Sequence, residues 1–101
     1  MEDSLKIWSL NQELVDLLIS RAGGRTTIKI LDLILANPCN ANQLSNALNL
    51  DYHTIIYHTN IMQEHNFIKK AKVKRTYYFH PTEKLISNII EYYYIKKLLT
   101  R

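Results

Sequence analysis

The sequence is poor in the residues that disulfides, irregular loops and membrane spans require. It has one cysteine, two glycines and two prolines among 101 residues. A lone cysteine excludes an internal disulfide, and the scarcity of glycine and proline favours a compact, mostly helical fold. No apolar run reaches the roughly 20 residues that a membrane span needs, and charges stand where a signal peptide would have its apolar core. These features predict one cytoplasmic, globular domain over residues 1–101.

Catalytic and metal-binding patterns are also missing. The sequence has no glycine-rich phosphate loop and no Cys-x-x-Cys or His-x-x-x-His pair. His53 and His58 are five residues apart, which puts them on different faces of a helix. We therefore expect a protein that is not an enzyme, binds no metal ion and needs no cofactor; no effector can be named. Cys39 is expected to be a small buried apolar residue, with a redox-sensing thiol as the alternative.

Acidic residues are scarce in the C-terminal part of the chain. Residues 1–64 carry four basic and seven acidic side chains, whereas residues 65–101 carry nine basic and two acidic ones. A basic cluster occupies the acid-free gap between Glu64 and Glu83, and it consists of Lys69, Lys70, Lys72, Lys74 and Arg75. Such a cluster beside aromatic residues is typical of phosphate contact. The alternative is a solubilising hairpin whose lysines guard a sheet edge.

The spacing of apolar residues predicts a mainly α fold with a small β-hairpin, in the order α-α-α-α-β-β-α. The predicted helices span residues 5–21, 26–36, 41–48, 52–65 and 82–99, and the predicted strands span residues 67–70 and 76–79. Gly23-Gly24 is expected to close the first helix through a left-handed conformation. No glycine-containing turn lies between the strands, so a hairpin loop of more than two residues is expected.

A helix-turn-helix pattern occupies the middle of the chain. Helices 41–48 and 52–65 are separated only by Asn49-Leu50-Asp51, so they must cross steeply, and the second helix is left able to enter a DNA groove. Asn40 and Gln43 form a capping-box pattern, and Asp51 is placed to cap the next helix. A basic hairpin over residues 67–80 follows directly and is expected to contact phosphates, with helix 52–65 as the recognition helix in the major groove. This order predicts a winged helix-turn-helix.

The second of these helices has one inward and one outward face. Ile55, Thr59 and Met62 fall inward, with His58 at the margin. The candidate DNA-binding residues lie on its outward face, at the start of the preceding helix and on the strand pair: Gln43, Tyr52, His53, Ile56, Tyr57, Asn60, Lys70, Lys72, Lys74 and Arg75. This helix has no Arg or Lys, so the commonest specific contact, arginine to guanine, is absent. Three interpretations remain open. The DNA site is rich in A·T pairs, the hairpin supplies most of the affinity for DNA, or the helix contacts a protein instead.

The last predicted helix is apolar on almost every side, which one small domain cannot cover. A homodimer built from the first and last helices would bury it. The predicted dimer residues are Leu5, Trp8, Leu14, Ile86, Ile89, Ile90, Tyr93 and Leu98. The alternatives are a helix wedged into the core of a single chain and a ligand pocket lined by tyrosines.

The segment from Gln43 to Ile68 resembles the winged-helix domain of ArsR-like transcriptional regulators, particularly their archaeal branch. The matching pieces are Gln43-Leu44-Ser45-Asn46-Ala47-Leu48, Thr54-Ile55-Ile56-Tyr57-His58 and Met62-Gln63-Glu64-His65-Asn66-Phe67-Ile68. Thr59 stands where the family usually has leucine, and Asn66 where it usually has glycine. The Cys-x-Cys pair of metal-sensing members is missing from the helix over residues 41–48.

The resemblance covers about residues 25–80 and implies a small homodimeric repressor or activator. In that arrangement residues 25–80 form the DNA-binding core, and helices 5–21 and 82–99 form the dimer contact. The sequence thus predicts a sequence-specific regulator whose partners are double-stranded DNA and a second copy of itself. The alternative is a winged-helix protein-interaction module in a transcription or replication assembly.

Overall fold

The computed structural model describes residues 10–100, which form six helices and one two-stranded antiparallel sheet. The elements are α1 (Gln12–Leu18), α2 (Gly24–Ala36), α3 (Ala41–Leu48), α4 (Tyr52–Glu64), β1 (Ile68–Val73), β2 (Thr76–Pro81), α5 (Glu83–Ser87) and α6 (Ile89–Thr100). Four helices precede a hairpin and a helical C-terminal segment, which confirms the predicted winged helix-turn-helix. The predicted contacts of Leu5 and Trp8 lie outside the described residues.

The connection between α1 and α2 differs from the prediction. Helix α1 ends at Leu18 instead of Arg21, and neither glycine has a positive φ angle. Gly23 is the N-cap of α2, and Gly24 is its first residue. A Cβ atom at Gly24 would lie 1.8 Å from the Leu18 carbonyl oxygen. Glycine is therefore needed for the close approach of two backbone segments, and it does not close the first helix.

The helix-turn-helix follows the sequence prediction closely. The Asn40 side chain accepts from the Gln43 amide at 2.8 Å, while the Gln43 side chain accepts from the Asn40 amide at 2.9 Å, which completes the capping box. The Asp51 carboxylate accepts from the His53 amide at the start of α4. Asn49 takes the left-handed conformation with a φ of 55°, which lets the chain reverse direction within three residues.

The hairpin, called the wing below, is tighter than the sequence indicated. Val73 pairs with Thr76, so the loop contains only Lys74 and Arg75, and the expected longer loop was wrong. Lys74 supplies the positive φ of 59° that such a loop needs and that glycine usually provides. Both strands are also longer than predicted. Main-chain hydrogen bonds in both directions between Cys39 and Phe79 attach the wing to the α2–α3 connection.

The predicted last helix is interrupted at Asn88. This residue has φ −110° and ψ 22°, and it separates α5 from α6. Its side-chain amide donates to the Lys84 carbonyl at 2.8 Å, which replaces continued helical pairing with a side-chain bond. Thr82 is the N-cap of α5, and its hydroxyl accepts from the Leu85 amide and donates to the Asn66 carbonyl at 2.7 Å. This contact fixes α5 against the end of α4.

A single hydrophobic cluster lies between α1, α2, α4, the wing and α6. Its largest fully buried side chains are Tyr92 and Phe67. The Tyr92 hydroxyl donates to Asp32 at 2.7 Å and lies 3.2 Å from the Ile28 carbonyl. Burial, followed by the bond to Asp32, raises the pKa of Tyr92. In residues 10–100, no helix is long and apolar enough to cross a membrane.

Candidate nucleic-acid interface

Helix α4 separates its inward and outward side chains as its sequence predicted. Ile55, Thr59 and Met62 are fully buried, and His58 is 7% exposed. On the opposite face, Tyr57 is 60% exposed. The other predicted outward residues of α4 are exposed or partly exposed: Tyr52, His53, Ile56 and Asn60. The structure therefore brings the predicted base-reading residues together on one accessible face.

The two faces of the wing differ in their surroundings. Lys70 and Lys72 both lie against the Tyr77 ring, with their ammonium nitrogens 5.2 Å and 5.6 Å from its centre. The strand alternation places the neighbouring Lys69 on the other face, where it borders a shallow depression beside Pro81 and Lys84. Thus only part of the basic cluster faces α4.

A groove of about 310 Å³ separates the start of α3 and the start of α4 from the wing. Its walls contain polar, aromatic and basic groups and no acidic side chain. The lining residues are Asn40, Ala41, Asn42, Tyr52, Ile56, Lys70, Arg75, Thr76, Tyr77 and Phe79. Four of the predicted DNA-binding residues, Tyr52, Ile56, Lys70 and Arg75, therefore border one cleft. Basic side chains without acidic neighbours are the kind of lining that phosphate contact requires.

Gln43 was predicted to contact DNA, whereas two further residues beside the groove, Asn42 and Tyr77, were not. The Gln43 side-chain oxygen accepts from the Asn40 amide, which holds this side chain in the capping box and leaves its amino group free of that bond. Asn42 and Tyr77 line the groove but were not predicted. Tyr77 had a usable sequence signal, because it is an aromatic residue that follows the basic cluster after only one intervening residue.

A guanidinium group from the α1–α2 connection anchors the middle of α4. One terminal nitrogen of Arg21 donates to the Leu17 carbonyl at 3.1 Å and to the Thr27 hydroxyl at 3.0 Å. The other lies 3.2 Å from His58 Nδ1. Burial, together with the Arg21 charge, lowers the pKa of His58 below its ordinary value. The Arg21–His58 contact had no sequence signal, because the two residues are 37 positions apart.

A second polar cluster holds the C-terminal end of α4. The Glu13 carboxylate is paired with Lys84 and lies 3.4 Å from His65 Nδ1, and Lys84 also donates to the His65 carbonyl at 2.8 Å. The Lys84 ammonium lies 4.8 Å from the centre of the Phe67 ring. These partners lower the pKa of Glu13, chiefly through its bonds to Lys84 and then His65. The cluster connects α1, α4 and α5.

The predicted dimer residues fall into three groups. Ile86, Ile90 and Tyr93 are 51%, 75% and 52% exposed. Ile89 and Leu98 are half-buried. Leu14 is completely buried in the core of its own chain, and a dimer contact through its side chain is not compatible with that burial. The exposed apolar side chains of α5 and α6 therefore form the surface that a partner could cover.

Cys39 is half-buried and packs against the core. Its thiol donates to the Asn37 carbonyl at 3.2 Å, and burial raises the pKa of the thiol. A raised thiol pKa disfavours the reactive thiolate. In the described part of the chain, no three His, Cys, Asp or Glu side chains are grouped closely enough to hold a metal ion.

The fold is shared with solved structures of low sequence identity. Reduced HlyU from Vibrio cholerae N16961 has a TM-score of 0.66 and 18% identity, with coverage of 96% of this chain and 100% of that chain. An ArsR-like transcriptional regulator from Rhodococcus sp. RHA1 has a TM-score of 0.63 and 18% identity, with coverage of 87% and 88%. NolR from Sinorhizobium fredii has a TM-score of 0.57 and 15% identity, with coverage of 92% and 97%. No family model matches the sequence, and no curated protein does. The chain has the winged helix-turn-helix fold of these proteins.

Proposed function

We propose that the protein is a DNA-binding transcriptional regulator of the ArsR-like type that acts as a homodimer. The observation that carries this proposal is the acid-free groove between α4 and the wing, where Tyr52, Lys70 and Arg75 border one cleft. The outward face of α4 lies beside it and would enter the major groove. The similarity in fold to an ArsR-like transcriptional regulator supports the same function. No observation favours the archaeal branch over the rest of that family.

Affinity and sequence preference would come from different parts of this interface. The basic residues of the wing would contact phosphates, which hold the protein without reading sequence. Sequence would be read from α4, where the Asn60 amide can bond adenine in two places and Ile56 can contact a thymine methyl group. Because α4 has no Arg or Lys, we expect a site rich in A·T pairs.

The homodimer is supported by the apolar surface on α5 and α6. Ile86 and Ile90 border a common depression at the break between these helices, and Tyr93 is exposed one turn further along α6. Two-fold pairing through this surface would cover it and would place one α4 in each half of the DNA site. Two recognition helices about 34–36 Å apart require a near-palindromic site.

The experiment is selection of preferred duplexes from a random pool, followed by fluorescence anisotropy on the preferred duplex and on random DNA. We expect Asn60→Ala to cost about 1–3 kcal/mol on the preferred duplex and much less on random DNA. Equal losses on both would show that Asn60 does not read sequence. If the unmodified protein binds no duplex at low salt, the proposal is overturned and the protein-interaction module becomes the better interpretation.

The wing supplies a matched pair of variants for the same assay. Lys70→Gln removes a charge that borders the groove, whereas Lys69→Gln removes the neighbouring charge on the opposite face. We expect Lys70→Gln to weaken binding to both duplexes, and Lys69→Gln to have the smaller effect. The reverse order would place DNA on the other side of the wing.

A further inference from the structure

We infer that Arg21 and His58 together position the recognition helix, so that DNA binding depends on His58 being neutral. The inference rests on the proposed function, since it concerns how α4 is held for DNA. The His58 ring contacts the charged side chain of Arg21, which comes from the α1–α2 connection. It is nearly buried at the middle of the helix, three residues after Ile55 and one after Tyr57.

The direction of the hydrogen bond follows from the chemistry of the two groups. A guanidinium has five N–H donors and no acceptor, so His58 Nδ1 must accept from Arg21. The ring must then be neutral, with its remaining proton on Nε2. Arg21 is itself held by the Leu17 carbonyl and the Thr27 hydroxyl, so its position is set by α1 and α2. His58 thus attaches α4 to a fixed point of the scaffold.

The same ring lies against two neighbours that leave it little freedom. The Tyr57 ring packs edge-on against it, with centroids 5.1 Å apart. An added Cβ atom at Gly23 would lie 2.5 Å from its Cε1 atom. Tyr57 is 60% exposed on the face proposed to meet DNA. A shift of the His58 ring would therefore move Tyr57, which connects the buried contact to the interface.

Protonation of His58 would turn this attachment into repulsion, since both groups would then be cations. Arg21 is the charged group that faces the ring from the α1–α2 connection, and Tyr57 is the titratable one on its own helix. The pKa of His58 is lowered from the ordinary 6.5, by burial first and by Arg21 second. A lowered pKa means that the neutral contact is fully present above 6.5 and is lost as the pH falls through the lowered value.

The test uses the full chain and measures DNA affinity by anisotropy across this pH range, together with the imidazole nitrogen resonances of the free protein. We expect the affinity of the unmodified protein to fall on acidification. His58→Asn keeps an acceptor near the Nδ1 position that cannot be protonated, so it should retain affinity at neutral pH and lose this part of the acid response. His65→Asn, at the C-terminal end of α4, controls for the loss of a histidine and should keep the fall in affinity on acidification.

Two further variants test the contact itself. Arg21→Met keeps much of the side-chain volume but removes all three donated bonds, of which only the one to His58 holds α4 directly. For the loss of that bond we expect DNA affinity at neutral pH to fall roughly threefold to tenfold. The His58 pKa should rise toward its ordinary value in this variant. The φ of −88° at Gly23 is compatible with alanine, so Gly23→Ala should leave the backbone unstrained. Its added methyl group should displace the His58 ring and thereby weaken DNA binding. Circular dichroism checks that each variant is folded at each pH.

The outcomes separate this inference from the proposed function. If the unmodified protein binds DNA but His58→Asn shows the same acid response, or Arg21→Met binds as tightly as the unmodified protein, the inference is wrong and the regulator function stands. A protonated Nδ1 in the free protein at neutral pH would also overturn it. If the unmodified protein binds no DNA at any pH, both fall.

Discussion

The charges at the tip of the wing give the sharpest quantitative prediction. Lys74 and Arg75 form the two-residue loop between the strands, and both side chains are exposed. If each side chain contacts one phosphate, neutralising both removes two phosphate contacts per bound protomer, together with the counterions that each contact releases. Each contact contributes about 0.9 to the slope of log affinity against log salt, so the slope should fall by about 1.8 for each protomer whose wing contacts the duplex. Over a fourfold increase in salt this corresponds to a factor of roughly 12 in relative affinity per protomer.

The variants must remove charge without disturbing the loop. Because Lys74 has a φ of 59°, Lys74→Asn is preferable to glutamine, since asparagine tolerates the left-handed conformation. Arg75→Gln completes the double variant. A control double variant, Arg25→Gln with Lys29→Gln, removes the same charge from exposed positions on α2. Anisotropy from about 50 to 200 mM salt on random duplex DNA gives the slopes.

The unmodified protein and the control variant should give the same slope of log affinity against log salt. The wing variant should give a shallower slope. Binding to all sequences should weaken alike, since phosphate contacts carry no sequence information. Parallel lines for the wing variant and the unmodified protein would refute the reasoning and remove the tip of the wing from the interface.

Three other predictions concern stability and assembly. Tyr92→Phe should lower the free energy of unfolding by about 1.5–3 kcal/mol in a urea titration, since the buried hydroxyl donates to the Asp32 carboxylate; an unchanged midpoint would show that this bond adds nothing. Glu13→Gln should be less stable than the unmodified protein at neutral pH. Because the Glu13 pKa is lowered from 4.5, the difference should shrink as the pH falls through the lowered value, and a difference that persists in acid would contradict the pairing with Lys84 and His65. Ile90→Glu should split the dimer in sedimentation at micromolar concentration and weaken DNA binding; an unmodified protein that sediments as a single 11.9 kDa species would contradict the dimer.

Local sequence signals predicted the centre of this fold well because each depends on residues close together in the chain. The capping box at Asn40 and Gln43, the Asp51 cap and the inward face of α4 need only helical spacing and nearby side chains. The same reasoning failed where a close backbone approach or a competing side-chain bond decided the outcome. Gly24 is set by the approach of the Leu18 carbonyl, and the interruption at Asn88 by a side-chain bond that competes with the helix.

The sequence by itself determined the helix-turn-helix, the outward face of α4 and the concentration of positive charge in the wing, because periodicity and composition are properties of the chain. Only the tertiary structure decided which face of the wing meets α4, and therefore that Lys70 borders the groove while Lys69 does not. It also decided that Leu14 is buried and that Arg21 reaches His58. Those results depend on how distant segments pack, since the contacts involved join residues that no local pattern relates.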